Sequence, residues 1–126
     1  MIAESDAMLL TSVQEATTTV VMEALSAGVP VVCHDTCGFG AVVDATCGIK
    51  IPLTNPKASV RGFADALIRM SREPELITHL GQGAVKRAAD FTWEMKAKAV
   101  MQIYGRILAR FPLDRDGAMV KEAVHS

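Results

Sequence analysis

Two carboxylates set eight residues apart, Glu15 and Glu23, flank the threonine run Thr17-Thr18-Thr19. Glu15 falls in a loop that leaves a short apolar strand, and Glu23 falls inside the helix that follows. A helix starting near Thr18 places Glu23 between one and two turns in, so both carboxylates line one side of the helix mouth. The first-turn amides of a helix have no intrahelical acceptor and favour an anion. In parallel α/β sheets, ligands gather at the carboxyl ends of the strands. A ligand with an anionic middle and hydroxyl-bearing ends satisfies both acids and the amides. A nucleotide sugar has that form: diphosphate on the amides, hydroxyls of ribose and hexose on the carboxylates.

Other reactive side chains carry less. Cys33, His34, Asp35 and Cys37 invite a metal reading, but closed zinc sites need four ligands at set spacings and no second pair follows. They are read as thiols and polar groups at a strand end, and no metal is expected. His79 and His125 are assigned no role. Met70, Met95 and Met101 are expected to pack a core, and Trp93 to anchor the last helix.

The elements that must position the acids can be read from pattern. Residues 7–12 form an apolar run suited to a strand buried on both faces. Residues 18–27 read as a helix closed by Gly28, and residues 29–33 as a β-branched strand with Pro30 at its start. A loop of small residues spans 34–40, a helical turn 41–44, and a third strand 48–52. Beyond lie helices. Asn55-Pro56 starts one, with Phe63, Leu67 and Met70 on its face. Glu73-Pro74 starts the next, with Leu76, Leu80 and Ala84. Thr92 caps a third, whose stripe is Ala97, Val100, Met101, Tyr104 and Leu108. The expected fold is α/β, a Rossmann-like three-layer half-domain with about three parallel strands and C-terminal helices. Residues 1–111 form the domain and residues 112–126 a polar tail.

Composition narrows the function. With 13 basic and 14 acidic side chains the net charge is −1, which leaves no bulk positive charge for nucleic acid. Aromatics make up only 5%, too few for a base-stacking platform, whereas 50% hydrophobic content supports a buried core. No apolar run is long enough to span a bilayer, and the acidic N-terminus is unlike a secretory signal. Three cysteines are read as reduced thiols in a cytoplasmic protein. The basic face of the last helix leaves open a peripheral membrane contact.

The segment from Glu15 to Val32 resembles the Glu-x7-Glu region of retaining glycosyltransferases of the GT-B fold, the group 1 family. Glu23-Ala24-Leu25-Ser26-Ala27-Gly28-Val29-Pro30-Val31-Val32 is similar to the family's Glu-Ala-(Met/Leu)-Ala-x-Gly-x-Pro-Val-Val. Residues 35–38 resemble its Asp-x-Gly-Gly loop, Gly48-Ile49 its next strand opening, and Phe91-Thr92-Trp93-Glu94 its Phe-Ser-Trp-(Glu/Asp). In order and spacing, residues 5–108 match the latter half of the nucleotide-sugar-binding domain. The resemblance implies that Glu15 meets hydroxyls of the donor sugar, as the catalytic candidate. It implies that Glu23 meets the ribose, amides around Thr18 and Thr19 receive the distal phosphate, and Gly38 lies near the sugar. It also implies transfer of a hexose from a nucleotide diphosphate sugar to an acceptor, with retention and without a cofactor. Three departures bear on which sugar is taken: Ala16-Thr17-Thr18 after the first glutamate, Cys37 at a loop glycine, and Ala41 at a common glutamate.

The resemblance does not extend to an acceptor domain or to the first strands of the donor domain, so the isolated chain is expected to be a poor catalyst. A second reading is a non-catalytic nucleotide-sugar-binding or oligomerising module, and a third is a nucleotide-sugar epimerase of similar fold. An apolar strand at 7–11 without its neighbour is an edge that proteins cover, so self-association into a homo-oligomer is expected.

Overall fold

The computed structural model describes residues 1–14 and 19–118. The first compact unit, Met1–Asp90, carries the sheet; a second begins at Phe91. After a short 3-10 turn at Ile2–Glu4, β1 (Met8–Leu10) leads to α1 (Thr19–Ser26), β2 (Val31–His34), α2 (Cys37–Val42) and β3 (Gly48–Ile51). Two long helices close the unit, α3 (Pro56–Arg72) and α4 (Pro74–Ala89). The strands pair in parallel in the order β1-β2-β3, with Leu9 opposite Val32 and Val32 opposite Ile49. This is the expected α/β half-domain with three parallel strands.

β2 is the centre. All four of its residues are buried, as a β-branched strand covered on both faces must be. Side chains alternate across the sheet with period two. Val32 packs with Ile51, Phe63, Ala66, Met70 and Leu80 on the α3 face. Lys50, between Ile49 and Ile51 in sequence, points the other way and reaches α2, donating to the Gly40 carbonyl at 3.1 Å.

Local chemistry fixes the ends of the helices. Gly28 takes φ +74, and α1 closes with Gly28 N–H donating to Leu25 O (3.0 Å) and Val29 N–H to Ala24 O (2.9 Å). That pair of bonds is a Schellman ending, and it needs the left-handed residue that glycine supplies without strain. The Asn55 side chain accepts from the Ala58 amide at 2.9 Å, with Pro56 at the first helical position. α1 then packs on α4, where a Cβ at Gly81 would press on the Gly28 carbonyl and one at Gly83 on the Thr46 carbonyl.

Several expectations are corrected. The helical turn expected at 41–44 begins earlier, as α2 at Cys37, because burial of Phe39 favours a helix despite two glycines. On α3 the buried residues are Phe63, Ala66 and Met70; Leu67 lies on the rim, 42% exposed. In the second unit α5 (Trp93–Arg110) starts at the expected cap, Thr92, whose side chain accepts from the Met95 amide at 3.3 Å. Its apolar stripe is exposed, Met95 and Met101 included. Trp93 is exposed rather than packed as an anchor, and the Lys96 ammonium sits 5.0 Å from its ring centroid.

At the end of the unit away from the strand tips, Arg87 of α4 ties down the C-terminus of α2. It donates to Val42 O (2.8 Å) and Ala41 O (3.2 Å) and pairs with Asp44 at 3.4 Å. The Thr46 hydroxyl beside Asp44 holds its carboxyl below the usual aspartate range; partial burial opposes this and Arg87 adds to it. A depressed carboxyl stabilises the fold above the unfolded value and loses that contribution as pH falls. The stability advantage of the wild type over Asp44→Asn is therefore expected to shrink as pH drops through and below about 3.9, which urea titrations at several pH values would follow. Replacing Gly83 by alanine is expected to cost about 1–3 kcal/mol, read as a lower urea midpoint at unchanged slope.

Candidate functional site

The parallel sheet delivers three chain exits to one edge: residues 11–14 after β1, Asp35 onward after β2, and Leu53 onward after β3. α1 opens on the same side as the β1 exit, since its N-terminus follows that strand. Thr19 is its first residue and is exposed. Glu23, four residues on, is also exposed and shares the helix face of Thr19, while Val21, Ala24 and Leu25 bury the opposite face. Gly38 is the second residue of α2 and is exposed. Glu15 and Thr18, the other two donor-site candidates, lie outside the described residues, as does His125.

The loop between β2 and α2 is held at several points. Lys50 pairs with Asp35 at 3.3 Å while bonding the Gly40 carbonyl, and the Asp35 amide donates to Ile51 O at 2.8 Å. Cys37 takes φ +51, the left-handed region that β-carbon-bearing residues enter at a cost. Its thiol lies 3.9 Å from the Val13 carbonyl, so the α2 loop touches the segment leaving β1. Cys33, by contrast, is buried, and burial pushes its thiol up to about 11 against the pull of Lys50. It is a packing residue and an inert thiol at neutral pH.

His34, at the tip of β2, is 2% exposed and is the buried polar side chain among the described residues. Nδ1 stands 3.1 Å from the Ser12 carbonyl and Nε2 2.9 Å from the Ser59 hydroxyl. Its ring meets Phe63 edge-on, centroids 5.0 Å apart. Beside it opens a largely apolar cavity of about 530 Å³, lined by Thr11, Val13, Leu53, Asn55, Ser59 and Phe63 among others. A second cavity, about 490 Å³ and lined by Asp44, Thr46, His79, Lys86 and Arg87, lies at the amino end of β3. There the cationic Arg87 is already engaged by backbone carbonyls and Asp44. The strand-tip edge is the better candidate.

Sequence reasoning missed two residues at this edge. Lys50 had a visible signal, a lone cation between two isoleucines in a strand. His34 was weighed only as a metal ligand; its bonding role left no local signal, because its partners are 22 and 25 residues away.

Comparison with known proteins bears on the whole edge. Residues 1–87 match the model of the family described as "Glycosyl transferases group 1". A D-inositol 3-phosphate glycosyltransferase of Streptomyces bingchenggensis is 32% identical over 102 residues, covering 80% of this chain and 22% of that protein. Its counterpart in Frankia alni is 34% identical over 104 residues, covering 82% and 25%. Among solved structures, sucrose-phosphate synthase from Thermosynechococcus elongatus superposes with a TM-score of 0.66 at 26% identity, over 83% of this chain and 26% of that one. The chain thus spans about a quarter of the length of these proteins.

Glycine at position 37 removes the left-handed penalty. Cys37→Gly is expected to raise stability by about 1 kcal/mol, seen as a higher urea midpoint with the slope unchanged.

Proposed function

The chain belongs to the glycosyl transferases group 1 family, and we propose that it supplies the donor half of a glycosyltransferase site, binding a nucleotide diphosphate sugar for retaining hexosyl transfer to an acceptor. The observation that carries the reading is the pairing of Thr19 and Glu23 on the exposed face of α1, at the strand-tip edge of a parallel sheet. Amides at a helix mouth suit a diphosphate, and a carboxylate one turn along suits the vicinal hydroxyls of a ribose. In this assignment Glu15 meets the sugar being transferred and is the catalytic candidate. Amides near Thr18 and Thr19 take the distal phosphate, Glu23 the ribose, and Gly38 the space beside the hexose. No metal or cofactor is assigned. Residues 1–111 make up the module and residues 112–126 the tail.

Catalysis of glycosyl transfer needs groups that stabilise the departing diphosphate and a site for the acceptor. The 126 residues are proposed to hold the donor and to turn it over poorly by themselves. Self-association at the exposed β1 edge is part of the proposal, since β1 pairs only with β2 among the described residues and Leu9 is 41% exposed.

The test is calorimetric titration of the chain with uridine, guanosine and adenosine diphosphate hexoses. One of them is expected to bind, and Glu23→Ala to weaken it about tenfold or more, the size of a lost hydrogen bond to a charged group. Equal affinity in the variant removes the ribose assignment. Binding of none of the three classes removes the donor-site reading.

A further inference from the structure

We propose that His34 is a positioning residue: its Nδ1–H, donated to the Ser12 carbonyl, anchors residues 12–14 where the chain leaves β1. A carbonyl oxygen can only accept, so the 3.1 Å contact at Ser12 requires the proton on Nδ1. In the neutral ring Nε2 is then an acceptor, and the Ser59 hydroxyl, 2.9 Å away, donates to it. The two bonds satisfy both nitrogens of a ring that is 2% exposed, as burial demands.

The arrangement is stiff for two further reasons. Phe63 of α3 meets the imidazole edge-on at 84°, which fixes the plane of the ring. Ser59 belongs to the same helix, within its first turns, and that helix start is set by the Asn55 cap. Residues 12–14 therefore take their position from α3 through the imidazole, which stands 22 residues from Ser12 and 25 from Ser59 in sequence. The next peptide carbonyl, Val13 O, lies 3.9 Å from the Cys37 thiol. The β1 exit is thus flanked by the tip of β2 and the start of α2. Without the Nδ1–H bond, the Ser12 carbonyl loses its partner from β2 and the segment loses its register to α3.

The consequence for binding rests on the donor-site reading above, whereas the anchoring itself does not. Three measurements on the 126-residue chain test it. Long-range proton–nitrogen correlation spectra at pH 7.5 are expected to show the His34 ring protonated at Nδ1; protonation at Nε2 alone overturns the proposal. Amide hydrogen exchange of the peptide covering residues 8–14 is expected to speed up about tenfold in His34→Leu, with residues 74–89 unchanged. In His34→Asn, whose side-chain amide can still donate to Ser12, exchange is expected to stay within about twofold of wild type. Equal exchange in wild type and leucine variant, or equal exchange in the two variants, overturns it. Donor affinity is expected to follow the same order, about tenfold weaker in His34→Leu and restored in His34→Asn. If wild type binds no nucleotide sugar, the donor-site reading fails, and the tautomer and exchange results still decide the role of His34.

Discussion

The burial of β2 on both faces is the constraint from which the rest follows. A four-residue strand that is wholly buried must pair on both edges and be covered above and below, which places β1, β3, α3 and the α1–α2 layer around it. Parallel pairing then sends all three chain exits to one edge. The alternation along β2 and β3 divides the labour between faces: Val32, His34, Ile49 and Ile51 toward α3, and Lys50 toward the α2 loop. The residues that stabilise the sheet and those that shape its edge are neighbours in the same short strands.

Where chemistry is local, the fold was legible. Gly28, Pro30, Asn55-Pro56 and Thr92 each act through their own backbone or a bond three residues away, and each sits where its residue type belongs. The positions of the strands were legible because they are short β-branched and apolar runs bounded by polar residues, but the first, read as a strand over 7–12 buried on both faces, is Met8–Leu10 with Leu9 41% exposed. α2 was not, because Cys-Gly-Phe-Gly-Ala-Val has poor helix propensity and is helical through the burial of Phe39. Leu67 and Ala66 differ by one position on a wheel, and only packing decides which of them faces the sheet.

The candidate site was legible in part. Glu23 was named from type and spacing, Thr19 and Gly38 through the family resemblance, and the helix α1 that carries Thr19 and Glu23 begins within a residue of its expected start. His34 was considered for a metal and set aside; its bonds to Ser12 and Ser59 depend on how β1, β2 and α3 come together, which spacing does not encode. Cys37 was recognised as a substitution for a loop glycine, but its left-handed backbone is a property of the fold around it.

The loop from β2 to the end of α2 is fastened at both extremities, by Lys50 on Asp35 and Gly40 and by Arg87 on the carbonyls of Ala41 and Val42. One fastening comes from β3 next door and the other from α4, 45 residues away, so the eight residues from Asp35 to Val42 have little freedom left to lose. A molecule settling against that loop would meet a surface already in its bound shape, and the ordering cost that weakens most loop-borne recognition would be small. Selectivity at such a surface comes from steric fit, because a wall that does not reshape cannot accommodate a ligand that does not match it.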